Sequence, residues 1–182
     1  MNTGTMTRVA LMAAVTAVAA QIAIPLPFSP VPFTLQVLAV VLSGLLLGPL
    51  HGALAQGIYV LVGAVGVPVF AQFSGGMGKI LGPTGGYLLS YPLAAAVAGL
   101  AAHAALNATR GRALTTSFLW GTAGLAIIYA LGATWLATVT DLPLAAALTQ
   151  GVLPFVAFDL VKVGLAALVG TAAAPAVAIS RA

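Results

Sequence analysis

The sequence has no cysteine and only two acidic residues against six basic ones, in a chain of 182 residues. Without cysteine there is no disulfide framework, no cysteine-based zinc site and no thiol nucleophile. The scarcity of charge excludes more. Ordinary soluble domains are about 25% charged, and this chain is 4% charged, too little to keep the surface of even a small core in water. The net charge of +4 is scattered, so it forms no basic patch of the kind that grips nucleic acid. What the chain does have is apolar mass, 62% of its residues. Its natural solvent is lipid. A crossing needs roughly 20 apolar residues, so six would take about 120 and leave only short connections.

Charge, proline and glycine mark the breaks. No charge falls between Val9 and Gly78, an interval long enough for three crossings. The first span, about 7–24, ends at Pro25-Leu26-Pro27-Phe28-Ser29-Pro30-Val31-Pro32-Phe33, where four prolines forbid a continuing helix. A second span covers about 34–47, Gly48-Pro49 turns the chain, and a third runs over about 51–67; both are short for a bilayer. The glycine-rich stretch 69–84, with Lys79 inside it, reads as an ordered loop. Spans follow at about 85–106, 114–138 and 154–174, separated by a turn bearing Arg110 and Arg112 and by Asp141-Leu142-Pro143 with a short apolar piece from Leu144. The expectation is an all-α integral membrane protein, a single domain over 1–182 built as a six-helix bundle with ordered outer loops.

Alternate crossings put Arg8, Arg110, Arg112 and Arg181 on one side, and Lys79 and Asp141 on the other. Lys and Arg accumulate in cytoplasmic loops, so both termini are expected inside. Arg8, the apolar run and Ala17-Val18-Ala19 imitate a cleaved signal peptide, but the uncharged run to Ile24 is longer than a usual signal core, and a retained helix is favoured.

Asp159 and Lys162 carry the strongest chemical signal, the only charges at membrane depth, in Pro154-Phe155-Val156-Ala157-Phe158-Asp159-Leu160-Val161-Lys162. A charge there costs about 2.5 to 3.5 kcal/mol on the insertion scale, so keeping two requires compensation. Spaced i, i+3, they share a helical face and can neutralise each other or jointly meet a polar guest. A structural ion pair pinning the last helix is the competing reading. Gly75-Gly76-Met77-Gly78-Lys79-Ile80-Leu81-Gly82-Pro83-Thr84-Gly85-Gly86-Tyr87 resembles a phosphate cradle but fails the Walker spacing, with Phe73 and Ile80 in place of the required Gly and Ser or Thr. Its glycines can let backbone amides approach a ligand or simply turn the chain. Tyr87 can stack on a ligand, although a tyrosine opening a span reads first as an interfacial anchor. His51 and His103 stand apart from any ligand or catalytic partner, so neither a metal site nor an enzyme constellation is expected. Ala10 with Ala14, and Ala13 with Ala17, form small-xxx-small pairs on the first helix, which let another helix come close or arise by chance in so alanine-rich a chain. Trp120 and Trp135 fit aromatic belts at opposite ends of the fifth span.

Together, Pro30-Val31-Pro32-Phe33-Thr34-Leu35-Gln36, Gly66-Val67-Pro68-Val69-Phe70, Gly82-Pro83-Thr84-Gly85-Gly86-Tyr87 and the segment from Pro154 to Lys162 resemble the BioY family over nearly the whole chain. These are the biotin-specific substrate-binding subunits of energy-coupling-factor vitamin transporters. The resemblance implies capture of biotin outside and delivery inward with a coupling membrane subunit and cytoplasmic ATPases, in a bacterial inner membrane. It implies no cofactor or metal of the chain's own, since ATP enters only through partners, and it leaves homo-oligomers open. Asp159 and Lys162 would contact biotin's polar ends; Tyr87, Gly76, Gly86, Phe70 and Gln36 would line the pocket. Ala10, Ala13, Ala14 and Ala17 would face the coupling subunit, and Pro25 to Phe33 would form a lid. Lys79 departs from the apolar residue expected there. Read from chemistry, biotin's carboxylate, ureido ring and apolar sulfur ring suit Lys162, Asp159 and Phe70 or Phe158 without fixing which group meets which residue. The rival transport reading is a solitary proton-coupled carrier of biotin or another small carboxylate, with Asp159 as relay. A purely structural subunit is the rival from another class.

Overall fold

The computed structural model describes the backbone of residues 2–103 and 108–179 and the side chains of 2–102 and 108–174. Helix α1 (Thr3–Gln21) begins at Asn2, whose Oδ1 accepts the Thr5 amide at 2.8 Å and so satisfies one of the free N–H groups of the first turn. It ends where Pro25 approaches, and the chain then forms two antiparallel strands, β1 (Ala23–Leu26) and β2 (Ser29–Thr34), with Ala23 opposite Thr34 and Leu26 opposite Ser29. This corrects the all-α expectation. Proline lacks an N–H and is tolerated only on edge strands, and a two-stranded ribbon is all edge. The same prolines that forbid a helix are thus compatible with a hairpin.

Helix α2 (Gln36–Ala64) is broken at Gly48, whose φ of 79° and ψ of 177° lie where a side chain is disfavoured. Pro49 then opens the next helical stretch, where its missing N–H does no harm. The break is a reversal. Gln36 Nε2 donates to the Tyr59 hydroxyl at 2.7 Å and Gln56 Nε2 to Ser43 Oγ at 2.8 Å, contacts that only two antiparallel arms, 36–47 and 49–64, can make. A Cβ on Gly52 would lie 2.8 Å from the Gly44 Cα, so bare backbone lets the arms meet.

Beyond α2 the stretch expected as a loop holds a 3-10 turn (Ala71–Phe73) and the short helix α3 (Met77–Leu81). Helix α4 (Gly85–Gly99) continues into a 3-10 turn (Leu100–His103), and the rest of the fourth expected span lies outside the described residues. Helix α5 (Arg110–Val139) is followed by Asp141 at φ 53°, the chain reversal expected there, then by α6 (Leu144–Gly151) and α7 (Val156–Ile179). The molecule is mostly helical, and among the described residues five helices are long and apolar enough to cross a membrane: α1, α2, α4 with its extension, α5 and α7.

Helix α4 is central, packing on both α2 and α5. Small residues bring these backbones together: a Cβ on Gly44 would lie 2.2 Å from the Ala95 carbonyl oxygen and one on Gly124 2.7 Å from that of Ala94. Gly99 meets Pro49, and Val9 and Met12 of α1 cluster with Leu47, so the N-terminus of α1, the Gly48 reversal and the C-terminal end of α4 share one end of the bundle. The hairpin, α3, α6 and the start of α7 gather at the other. Leu61, Val65, Leu119, Val161 and Leu168 are among the large apolar side chains left on the outside, as a lipid-facing surface requires.

Candidate functional site

A cavity opens at the hairpin end, walled by β2, the first turn of α2, the 65–84 connection, α4, α5 and the start of α7. Its floor is built around Asp159 and Lys162, which the i, i+3 spacing places one turn apart on α7. Asp159 lies in the first turn, where a negative charge complements the helix dipole. Its Oδ1 receives Lys162 Nζ at 2.6 Å, and its Oδ2 accepts the Tyr129 hydroxyl of α5 at 2.7 Å. Lys162 Nζ also donates to the Thr34 carbonyl at 2.6 Å and stands 3.8 Å from the centre of the Phe33 ring. Both residues are buried, 3% and 5% exposed, a state that two ions tolerate only when paired and hydrogen-bonded as these are.

The polar network continues away from the pair. Thr34 Oγ1 donates to Gln36 Oε1 at 3.0 Å, Gln36 Nε2 to the Tyr59 hydroxyl, and that hydroxyl to the Val69 carbonyl at 3.2 Å. Gln21 at the end of α1 reaches the same carbonyl at 3.3 Å and accepts the Phe73 amide at 2.9 Å. One chain of hydrogen bonds therefore links α5, α7, the hairpin, α2 and the 65–84 connection, with α1 joined at the last carbonyl. The apolar side of the cavity comes from Phe70, Phe155, Leu88 and Ile128. Phe70 meets Tyr59 edge-on at 5.6 Å and lies against Gly63, where a Cβ would intrude to 2.2 Å.

Of the residues singled out in the sequence, Asp159, Lys162, Tyr87, Phe70 and Gln36 converge on this cavity. Tyr87 is no interfacial anchor. It is buried, its hydroxyl donates to the Gly151 carbonyl at 2.9 Å, and the bare backbones of Gly132 and Gly151 make room for it. Gly76 and Gly86 do not line the cavity. Gly76, at φ 91°, turns the chain into α3 and donates its amide to the Gly63 carbonyl at 2.7 Å. Gly86 is where α5 packs on α4, for a Cβ there would lie 2.2 Å from that of Trp135. Trp135 in turn gives its indole N–H to the Gly82 carbonyl at 2.9 Å, a tie to the glycine loop that the belt reading does not anticipate. Phe158 points outward and reaches the site only through Phe33, edge-on at 5.3 Å. On α1 the alanine pairs separate: Ala13 is buried and Ala17 packs on the same core, so these two serve the chain's own bundle, whereas Ala10 and Ala14 are exposed.

Sequence reasoning missed Tyr129, Tyr91, Thr34 and Phe33. Tyr91 was within reach, since Tyr87 and Tyr91 are four apart and must share a face of α4. Tyr129 offers only a hydroxyl halfway along an apolar span. Thr34 acts through its carbonyl and Phe33 through its ring face, neither of which side-chain type announces.

The pattern of the BioY family matches residues 1–179. A protein of Pyrococcus horikoshii named as a probable biotin transporter BioY is 45% identical over 161 residues, 88% of this chain and 90% of its own length. The biotin transporter BioY of Thermotoga maritima is 47% identical over 150 residues, 80% of this chain and 82% of its own. In three dimensions the chain superposes on the crystal structure of the S-component for biotin from an ECF-type ABC transporter with a TM-score of 0.82 and 26% identity, covering 94% of this chain and 93% of that one.

Proposed function

The chain belongs to the BioY family, and from that premise we propose that it binds biotin at the hairpin end and serves as the substrate-specific subunit of an energy-coupling-factor transporter. The observation that carries the reading is the internally neutralised pair Asp159 and Lys162 on the floor of a partly aromatic cavity. A neutral ureido ring offers N–H donors and a carbonyl acceptor, which a carboxylate and an ammonium held side by side complement without a net charge to bury. Phe70 and Phe155 supply apolar walls for the bicyclic sulfur ring.

With the two arms of α2 counted separately the described residues make six passes, and the start of α1 and the end of α7 lie on the side of Arg8, Arg110 and Arg112, the cytoplasmic side by the excess of arginine there. The cavity then opens outward, to the exterior of a bacterial cell membrane, beneath the hairpin as its lid. A coupling membrane subunit and ATPases on the cytoplasmic side complete the transporter, with the exposed Ala10 and Ala14 as the place on α1 where another helix comes closest. ATP acts only through those partners.

The test is biotin binding by the purified, folded chain, followed by uptake into vesicles. Saturable binding together with uptake that requires the ATPases supports the proposal. Folded protein that does not bind biotin overturns it. Accumulation driven by a pH gradient alone would establish the solitary carrier instead, an outcome that the engagement of both Asp159 oxygens by Lys162 and Tyr129 argues against.

A further inference from the structure

The charges around the cavity do not divide as a single lysine for the ligand's carboxylate would require. Among the described residues, Asp159, Lys162 and Lys79 are the ionised side chains that line it. The first two cancel, so the cavity's net positive charge is that of Lys79. The donors divide the same way. An ammonium has three N–H groups; those of Lys162 face Asp159 Oδ1, the Thr34 carbonyl and the Phe33 ring, so any ligand acceptor there exchanges with one of these contacts, which a neutral carbonyl does without adding a net charge to the buried pair and a carboxylate does not. Lys79 is exposed on α3, lines both this cavity and the adjoining glycine-walled recess of Gly75, Gly78 and Gly82, and among the described residues has no side-chain hydrogen bond or ion-pair partner.

We infer that Lys79 is the residue that selects the ligand's carboxylate, at the cavity rim, while the Asp159 and Lys162 pair receives the uncharged polar head on the floor. The inference rests on the proposed biotin reading and deepens it, because it divides one ligand between two sites of different charge. The arrangement avoids burying an anion against a pair that is already neutral, and it keeps the ligand's charge where water screens it. The backbone of Gly78 and Gly82 leaves the recess beside Lys79 free of side-chain bulk, so a carboxylate can reach the ammonium directly.

The experiment compares biotin with its primary amide, biotinamide, which keeps the ring system and chain length but has no charge. Binding of both to the purified full-length chain is measured for the unaltered protein, Lys79→Met and Lys79→Arg, with thermal unfolding confirming that each variant is folded. The unaltered chain is expected to prefer biotin; Lys79→Met should weaken biotin about tenfold, the size of one charge-assisted hydrogen bond, and leave biotinamide unchanged. Lys79→Arg should keep the preference. The inference is overturned if Lys79→Met retains the preference for biotin or weakens both ligands equally. If the unaltered chain binds neither compound, the biotin reading itself has failed, a result distinct from a lost role for Lys79 in a chain that binds biotin well.

Discussion

Two buried polar clusters sit in this apolar bundle and are put to different uses. One is the ion pair of Asp159 and Lys162 with Tyr129 and Thr34, which lines the cavity. The other joins α1 to both arms of α2: Gln56 Nε2 donates to Thr16 Oγ1 at 2.9 Å and to Ser43 Oγ at 2.8 Å, with all three residues fully enclosed. The hydroxyls of Thr16 and Ser43 also donate to the Met12 and Ala39 carbonyls of their own helices. This cluster contains no charge and lines neither the cavity nor the glycine-walled recess, and Gln56 Oε1 has no hydrogen-bond partner among the described residues. The first cluster is fully matched and faces a space; the second is sealed and incompletely matched. Burial of polar groups in a membrane bundle therefore does not by itself mark a site. Charge, saturation and an adjoining cavity together do.

The largest expected effect comes from breaking the charged cluster. Lys162→Met strands Asp159 without its cation and should destabilise the chain by about 3 to 5 kcal/mol, measured by thermal unfolding in detergent. The double change Asp159→Leu with Lys162→Met should recover most of that loss, since an apolar pair replaces a buried ionic one, yet bind no biotin. A stable double variant with undiminished biotin affinity would put the ion pair in the same class as the sealed cluster, and the contrast between them would disappear.

A smaller effect is expected at Tyr129. Tyr129→Phe removes one hydrogen bond to Asp159 Oδ2 and should reduce biotin affinity by roughly 3- to 10-fold, in line with ~1 kcal/mol for such a bond, while the melting temperature moves little. Titration calorimetry on the folded variant measures it; unchanged affinity would mean that the orientation of Asp159 does not depend on the hydroxyl. The smallest effect belongs to the sealed cluster. Gln56→Met is expected to shift stability by less than about 1 kcal/mol, because interhelical hydrogen bonds in membranes average ~0.6 kcal/mol and the two hydroxyls keep their backbone acceptors. Its biotin affinity should be unaltered, and a large loss of binding would show that the two clusters are linked.

Much of this layout was legible before any coordinates. The membrane class followed from missing charge, the reversal at Gly48-Pro49 from two residues that cannot extend a helix together, and the candidate site at the cavity from two ions where none should be affordable. The hairpin was hidden because four prolines say only what the chain cannot be. Gly76 and Gly86 were misplaced because glycine permits close approach without naming what approaches, and here the neighbours are the chain's own backbone and Trp135. The partners of Lys162 stayed unseen because Thr34, 128 residues away in sequence, contributes a carbonyl that every residue possesses.

The reversal at Gly48 also shapes the lipid around the protein. The 49–64 arm, with Leu50, Leu54, Ile58 and Leu61 exposed, holds sixteen residues, about 24 Å of rise, whereas α5 with thirty residues extends about 45 Å. Neighbouring faces of one molecule thus offer very different heights to a hydrocarbon layer of about 30 Å. Acyl chains next to the short arm have to compress or splay, at a fraction of a kcal/mol for each ångström, and those along α5 need not. The layer is consequently thinned on one flank only, and a bilayer of shorter lipids would fit this protein with less distortion than a thick one.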